Sequence, residues 1–270
     1  MKVNLRMVGL VRFSVLSPTY YSERFASVEE TAEHLFAPER MDLRFRLFEH
    51  LCLRSLARQS DKRFRLVVLT AEALPVPYME RLQALIATLP NASLRAVPPA
   101  AHHRQLKEAY DSVPLRRATH RILFRLDDDD AVDRDFVKRT KALARGLIPV
   151  QKAETPFIIA HNRGFYLERG LDGASLTDTC ERAPLSAGAA LVAPAGHGGT
   201  PYAVNHRRFA QHYNTFSDIS VPAFLRTIHG DNKSKPAKKG ITGAWSTARR
   251  ASALRRHFGF DLAELEGLLA

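Results

Sequence analysis

The sequence predicts an α/β fold: a mostly parallel central sheet flanked by helices, with a smaller antiparallel extension. Three observations carry this. Through the first 150 residues, short apolar runs alternate with amphipathic stretches, as in parallel strands joined by helices. After Pro149 short apolar runs follow one another with turns rather than helices between them. Arg121 to Leu126 is a mostly apolar run without helical period, and it stops at four consecutive carboxylates, Asp127 to Asp130. Open α/β sheets bind ligands just beyond the carboxyl ends of such strands.

The elements follow in order. Leu5 to Leu16 is apolar and partly alternating, a first strand closed by Ser17-Pro18-Thr19. Asp42 to Arg58 carries Leu43, Leu47, Leu51 and Leu56 at helical spacing. Phe64 to Leu69 is a buried strand. Pro77 to Leu89 is an amphipathic helix with proline in its first turn. Ser93 to Val97 is a short strand, His102 to Arg117 a helix, Arg121 to Leu126 a strand and Asp133 to Arg145 a helix. Beyond Pro149, Phe157 to His161 and Gly164 to Glu168 read as strands around an Asn162-Arg163-Gly164 turn, and Ala189 to Val192 as another. One domain, 1–270, accommodates these elements: an N-terminal half spanning residues 1–150, a second half spanning 151–243 and a helical tail over 244–270.

Composition narrows the classes. The chain has 270 residues, a net charge of +12 and two cysteines, Cys52 and Cys180. Its length supports a full core, and the cysteines suggest buried or free thiols in a cytoplasmic protein. No apolar run reaches the ~20 residues that span a bilayer, and Met1 to Ser17 reads as a strand rather than a leader. Between Asp231 and Asp261 there is no acid, while Lys233, Lys235, Lys238, Lys239, Arg249, Arg250, Arg255 and Arg256 fall there. The net charge, with this acid-free segment, favours polyanionic partners: nucleic acid, anionic lipid or phosphorylated ligands. The absence of a Gly-x-x-x-x-Gly-Lys-Ser/Thr loop, of a Gly-x-Gly-x-x-Gly turn after the first strand and of a Gly-x-Ser-x-Gly elbow argues against P-loop, dinucleotide and α/β-hydrolase chemistry.

The acidic run is the first candidate site. Adjacent carboxylates repel one another, and a hard divalent cation, Mn2+ or Mg2+, is the usual relief. Extended backbone would turn Asp127 and Asp129 to one cleft, with Arg125 on the face of Asp127, and Asp128 and Asp130 away. Helix capping or a solvated turn accounts for the same residues. His229, in Thr227-Ile228-His229-Gly230-Asp231-Asn232 after an apolar run, suits a metal ligand or a structural turn. His197 lies in a glycine-rich loop. Asp218, between two apolar segments, is either a general base or a turn cap.

Several segments together resemble a known family. Leu53-Arg54-Ser55-Leu56-Ala57-Arg58-Gln59 leading into the Val67-Val68-Leu69-Thr70 strand, and Arg125 to Ala131 at the Asp-x-Asp position, resemble GT-A glycosyltransferases, a Rossmann-like fold. Val11-Arg12-Phe13-Ser14, Arg44-x-x-Leu47-Phe48-Glu49, Ala73-Leu74-Pro75 and Leu225 to Ser234 resemble, more narrowly, a bacterial rhamnosyltransferase family. The resemblance implies that Asp127 contacts the nucleotide ribose or the metal, that Asp129 and His229 hold the cation, and that the donor is a UDP, GDP or dTDP sugar. Asp128, Arg125, Arg12, Lys233 and Lys235 then become candidates for nucleotide-sugar contacts, and Asp218 for the base. The N-terminal half becomes the donor-binding half, and the second an acceptor and metal-completing half. The acceptor expected is a glycan or lipid-linked hydroxyl, with peripheral contact at the inner face of the cell membrane and no nucleic acid. A metal-dependent nuclease or phosphohydrolase, and a non-catalytic anion-binding protein, are the rival readings.

Overall fold

A computed structural model describes residues 3–170, 173–232, 240 and 242–269. The chain runs β1 (Leu5–Arg12), α1 (Val28–Leu35), α2 (Pro38–Leu47), α3 (Arg54–Ala57), β2 (Arg65–Ala71), α4 (Val76–Ala87), β3 (Ala92–Val97) and α5 (His102–Asp111). Next come β4 (His120–Asp127), β5 (Asp130–Val132), α6 (Phe136–Gln151), β6 (Phe157–His161), β7 (Arg163–Gly170), β8 (Gly173–Cys180) and β9 (Ala190–Pro194). The chain continues through β10 (Asn214–Asp218), β11 (Phe224–Ile228), α7 (Thr247–Phe258) and α8 (Leu262–Leu268).

Seven strands form the central sheet in the order β10-β6-β9-β4-β1-β2-β3. β4, β1, β2 and β3 are mutually parallel, as the strand–helix alternation predicts. β9 runs antiparallel to both β4 and β6, so β6 and β10 point the same way as β4. The two faces of the sheet read off the pleat. Met7 and Val11 of β1 join Ile122, Phe124 and Leu126 of β4 in one cluster, with Phe45, Phe48 and Phe136. Val8, Leu10 and Leu123 join Leu106, Ala109 and Tyr110 of α5 on the other. Arg12, Arg125 and Asp127 alternate onto this second face.

The expected extension is a separate four-stranded sheet, β5-β11-β7-β8. Two of its pairings are antiparallel and one, β11 with β7, is parallel. β6 and β7 flank the Asn162 turn as expected, but they do not pair with each other; they belong to different sheets. The helix expected from Asp42 starts at Pro38, which needs no N–H in a first turn. It continues through a π-helical turn, Phe48–Leu53, into α3. α7 and α8 cover the small sheet through Leu254, Phe258, Leu265 and Leu268 packed on Phe165, Leu167 and Leu225. No helix among the described residues is long and apolar enough to cross a membrane.

Candidate functional site

β4 ends at Asp127, and Asp128 and Asp129 form a turn before β5 begins at Asp130. The strand alternation stops there, which corrects the expected division of the carboxylates. All four, Asp127 to Asp130, line one cleft. β11 completes it by pairing with β5, Arg226 opposite Asp130. Thr227 Oγ1 donates to the carbonyl of Asp129 (2.8 Å), locking the end of β11 against the acidic turn. His229 and Asn232, just beyond, are thereby placed on Asp129.

Arginines of the same chain sit among the carboxylates. Arg12, at the end of β1, pairs with Asp127 at 2.5 Å. Its guanidinium also lies over the rings of Tyr20 (4.9 Å) and Tyr202 (5.2 Å), and Arg125 lies over Tyr202 at 4.1 Å. Arg44, from α2, is buried and shared between two residues: it grips Asp128 by Nε (3.1 Å) and Nη2, and Asp129 by Nη1 (2.8 Å). Arg40 pairs with Asp231 (2.9 Å) and donates to Ser14 Oγ and the carbonyl of Leu35. The cleft thus sets the carboxylates of Asp127 to Asp130 and Asp231 against the guanidinium groups of Arg12, Arg40, Arg44 and Arg226.

This balance separates the acids. Burial would raise the Asp127 pKa, but the charges of Arg12 and Arg125 overcome it and hold the group at about 2. Burial acts the same way on Asp129, and Arg44 with His229 holds it below the usual carboxylate range. Asp130 is pushed well above that range by burial and by the neighbouring Asp129. Asp127 and Asp129 are thus held ionised while Asp130 is driven toward its protonated form.

The structure brings together Asp127, Asp128, Asp129, Arg12 and His229 of the residues singled out from sequence. Arg125 acts on Asp127 from the flank of the cleft. Asp218 is not among the lining residues; its carboxylate is taken up by Arg139 (3.2 Å), His161 (3.5 Å) and the Ser220 hydroxyl (2.6 Å). The His161 hydrogen bond leads the causes that hold its pKa low, which makes it a poor base. His197 does not line the cleft either. Lys233 and Lys235 lie outside the described residues. Sequence reasoning missed Arg40, Arg44, Arg226, Asp231 and Asn232. Arg44, Arg226 and the Asp231-Asn232 pair stood inside segments already singled out, but nothing in their spacing showed that they would meet the acidic turn.

The expected divalent cation can be tested against these contacts. The 3.1 Å between His229 Nε2 and Asp129 Oδ2 would suit two ligands sharing an ion. That oxygen, however, already accepts from Arg44 and from Asn232 Nδ2 (3.0 Å). His229 Nδ1 accepts the Asp231 backbone N–H (3.3 Å), so the ring proton sits on Nε2. A ligating imidazole has the opposite polarity, with the second nitrogen donating its proton to an acceptor. Among the described residues no group of three or more His, Cys, Asp or Glu is arranged to hold a metal ion. The donor set as folded does not fit the cation.

Over residues 6–241 the chain matches the family model described as "Putative rhamnosyl transferase". The chain belongs to this family. The family's description is that of a sugar transferase. No curated protein matches the sequence. Three crystal structures of S. aureus TarS are similar at low identity. The first is 11% identical with a TM-score of 0.40, covering 83% of this chain and 37% of that one. A 1–349 form is 12% identical with a TM-score of 0.43, covering 82% and 60%. The same form in complex with UDP is 11% identical with a TM-score of 0.41, covering 94% and 72%. The chain spans well under two thirds of the first of these, and likenesses of this order place no function on it.

Proposed function

We propose that this rhamnosyl transferase family member moves a sugar, rhamnose on the family's description, from a nucleoside diphosphate to a hydroxyl of a glycan or lipid-linked acceptor. The donor diphosphate lies in the cleft beyond β4. One observation carries this: Arg12, Arg40, Arg44 and Arg226 are interleaved with carboxylates in one cleft, which opens at the carboxyl ends of the parallel strands β1 and β4. Guanidinium forks match phosphate oxygens in pairs, and carboxylates accept ribose hydroxyls.

The chemistry follows from the charges. The bond from the anomeric carbon to the diphosphate oxygen breaks, and its electron pair stays on the diphosphate. The acceptor oxygen bonds to the carbon, and its proton passes to solvent water. Fixed guanidinium groups stabilise the negative charge as it grows, without reorganising at that moment. Lys233 and Lys235, next in sequence after Asn232, are proposed to add to the phosphate contacts. The basic segment from Lys233 to Arg256 is proposed to face an anionic membrane when the acceptor is lipid-linked.

The test is titration calorimetry with UDP-, GDP- and dTDP-sugars, with and without manganese. One nucleotide series is expected to bind saturably, and Arg12→Ala to weaken it by roughly 10-fold or more, as for a lost charge-assisted contact. If no series binds under either condition, the reading is wrong.

A further inference from the structure

The cleft holds its carboxylates with arginine where this chemistry is expected to use a cation, and the arrangement is built rather than incidental. Arg44 enters from α2, with the π-helical turn directly after it. Its side chain is 9% exposed, against 3% for Asp128 and 6% for Asp129. Three of its five N–H groups are hydrogen-bonded to the two acids; one on each Nη makes no hydrogen bond to them, Nη1 also facing Asp231 Oδ2 at 3.8 Å. Asp129 Oδ2 gathers three donors at once: Arg44, His229 Nε2–H and Asn232. A cation bound there would have to displace Arg44, lose the Asn232 contact and invert the His229 tautomer. Displacing Arg44 alone would leave a buried guanidinium beside a dication.

We propose that this enzyme binds its donor diphosphate without a divalent metal ion, and that Arg44 supplies the positive charge in its place. The inference rests on the proposed sugar-transfer reading and deepens it. His229 is then a hydrogen-bond donor that holds Asp129 in position, not a ligand. The remaining Nη N–H groups of Arg44 meet the diphosphate, while Asp128 and Asp129 fix the plane of the fork. Arginine is suited to this because it stays charged when buried and presents paired donors.

The experiment uses the full chain, stripped with EDTA and kept in metal-free buffer. Calorimetry measures UDP, GDP and dTDP binding with and without added manganese, and manganese EPR measures ion binding to the protein alone. The expected result is diphosphate affinity unchanged within ~2-fold by manganese, a free-ion EPR spectrum, and a loss of roughly 10-fold or more in Arg44→Lys, which keeps the charge but not the fork. His229→Gln retains an N–H for Asp129 and is expected to bind within ~3-fold of the parent, whereas a lost ligand typically costs far more. Binding that requires manganese, or an ion held by the protein alone and released by Asp129→Asn, overturns the inference and leaves sugar transfer standing. Absence of diphosphate binding under both conditions overturns the two together. The wild-type metal arm decides the matter even if Arg44→Lys fails to fold.

Discussion

Arg12 and Arg44 explain how four adjacent carboxylates survive burial. Each acid that stays ionised has a guanidinium on it, and Asp130, which faces Arg226 but lies beside Asp129, is driven toward its protonated form. Asp127 to Asp130 are visible in the sequence as an acidic strand end. Their partners are not, because an arginine 84 residues from Asp128 leaves no local trace of the contact. His206 shows the same limit for titration. Burial lowers its pKa first, Arg125 adds to this, and the group falls to about 4. Its Nδ1–H meanwhile donates to the Pro184 carbonyl at 2.7 Å. The folded pKa lies below the ordinary 6.5, so the stability from the neutral ring is full above pH 6.5. It is lost as pH falls toward 4, because the unfolded chain takes up the proton first. After allowance for partial exposure the loss should be about 2–3 kcal/mol. Urea midpoints from pH 7 to 4 should fall less steeply in His206→Asn than in the parent; parallel slopes would refute the assignment.

At the scale of elements, β1, β2 and β4 were legible because buried parallel strands are continuous apolar runs. α1, β8 and β10 were not. β10 carries exposed Phe216 beside polar Asn214, Thr215 and Ser217, so neither alternation nor a run marks it. β6 and β7 read as strands around one turn and lie in different sheets, because partner choice is set by tertiary packing, not by the turn between them. Gly9, in the middle of β1, is also silent in the sequence. A Cβ there would lie 2.1 Å from Cζ of Phe124. That ring is buried and packed against Phe136 at 5.1 Å, so it has little room to retreat. Gly9→Ala should cost about 1–3 kcal/mol through overpacking. Denaturant unfolding measures it, and a neutral or stabilising result would show that the ring moves freely.

The whole molecule joins two sheets through the helix that carries Arg44. Leu47 and Leu51, on α2 and its π-helical turn, share a cluster with Ala131 of β5, Leu225 of β11 and Leu254, Phe258 and Leu265 of the C-terminal helices. α7 and α8 therefore brace the strand that follows the acidic turn and the helix that carries Arg44. Further ties run the same way: Arg134 N–H donates to the His257 carbonyl at 2.8 Å, Arg54 pairs with Glu264, and Arg54 lies over Phe260 at 5.1 Å. Exposed ion pairs contribute little, so the apolar cluster is the main joint. Phe258 is 1% exposed within it, and Phe258→Ala should cost about 3–5 kcal/mol. Because Leu47 and Leu51 enter this cluster while Phe45 and Phe48 of the same helical run pack in the core of the central sheet, that loss should shift one cooperative transition rather than split it. Differential scanning calorimetry compares the calorimetric and van't Hoff enthalpies of parent and variant. Equal enthalpies in both, with the variant's transition at lower temperature, are expected. A variant that gains a separate early transition would mean that the C-terminal helices and small sheet melt alone, and that the acidic turn is not braced by them.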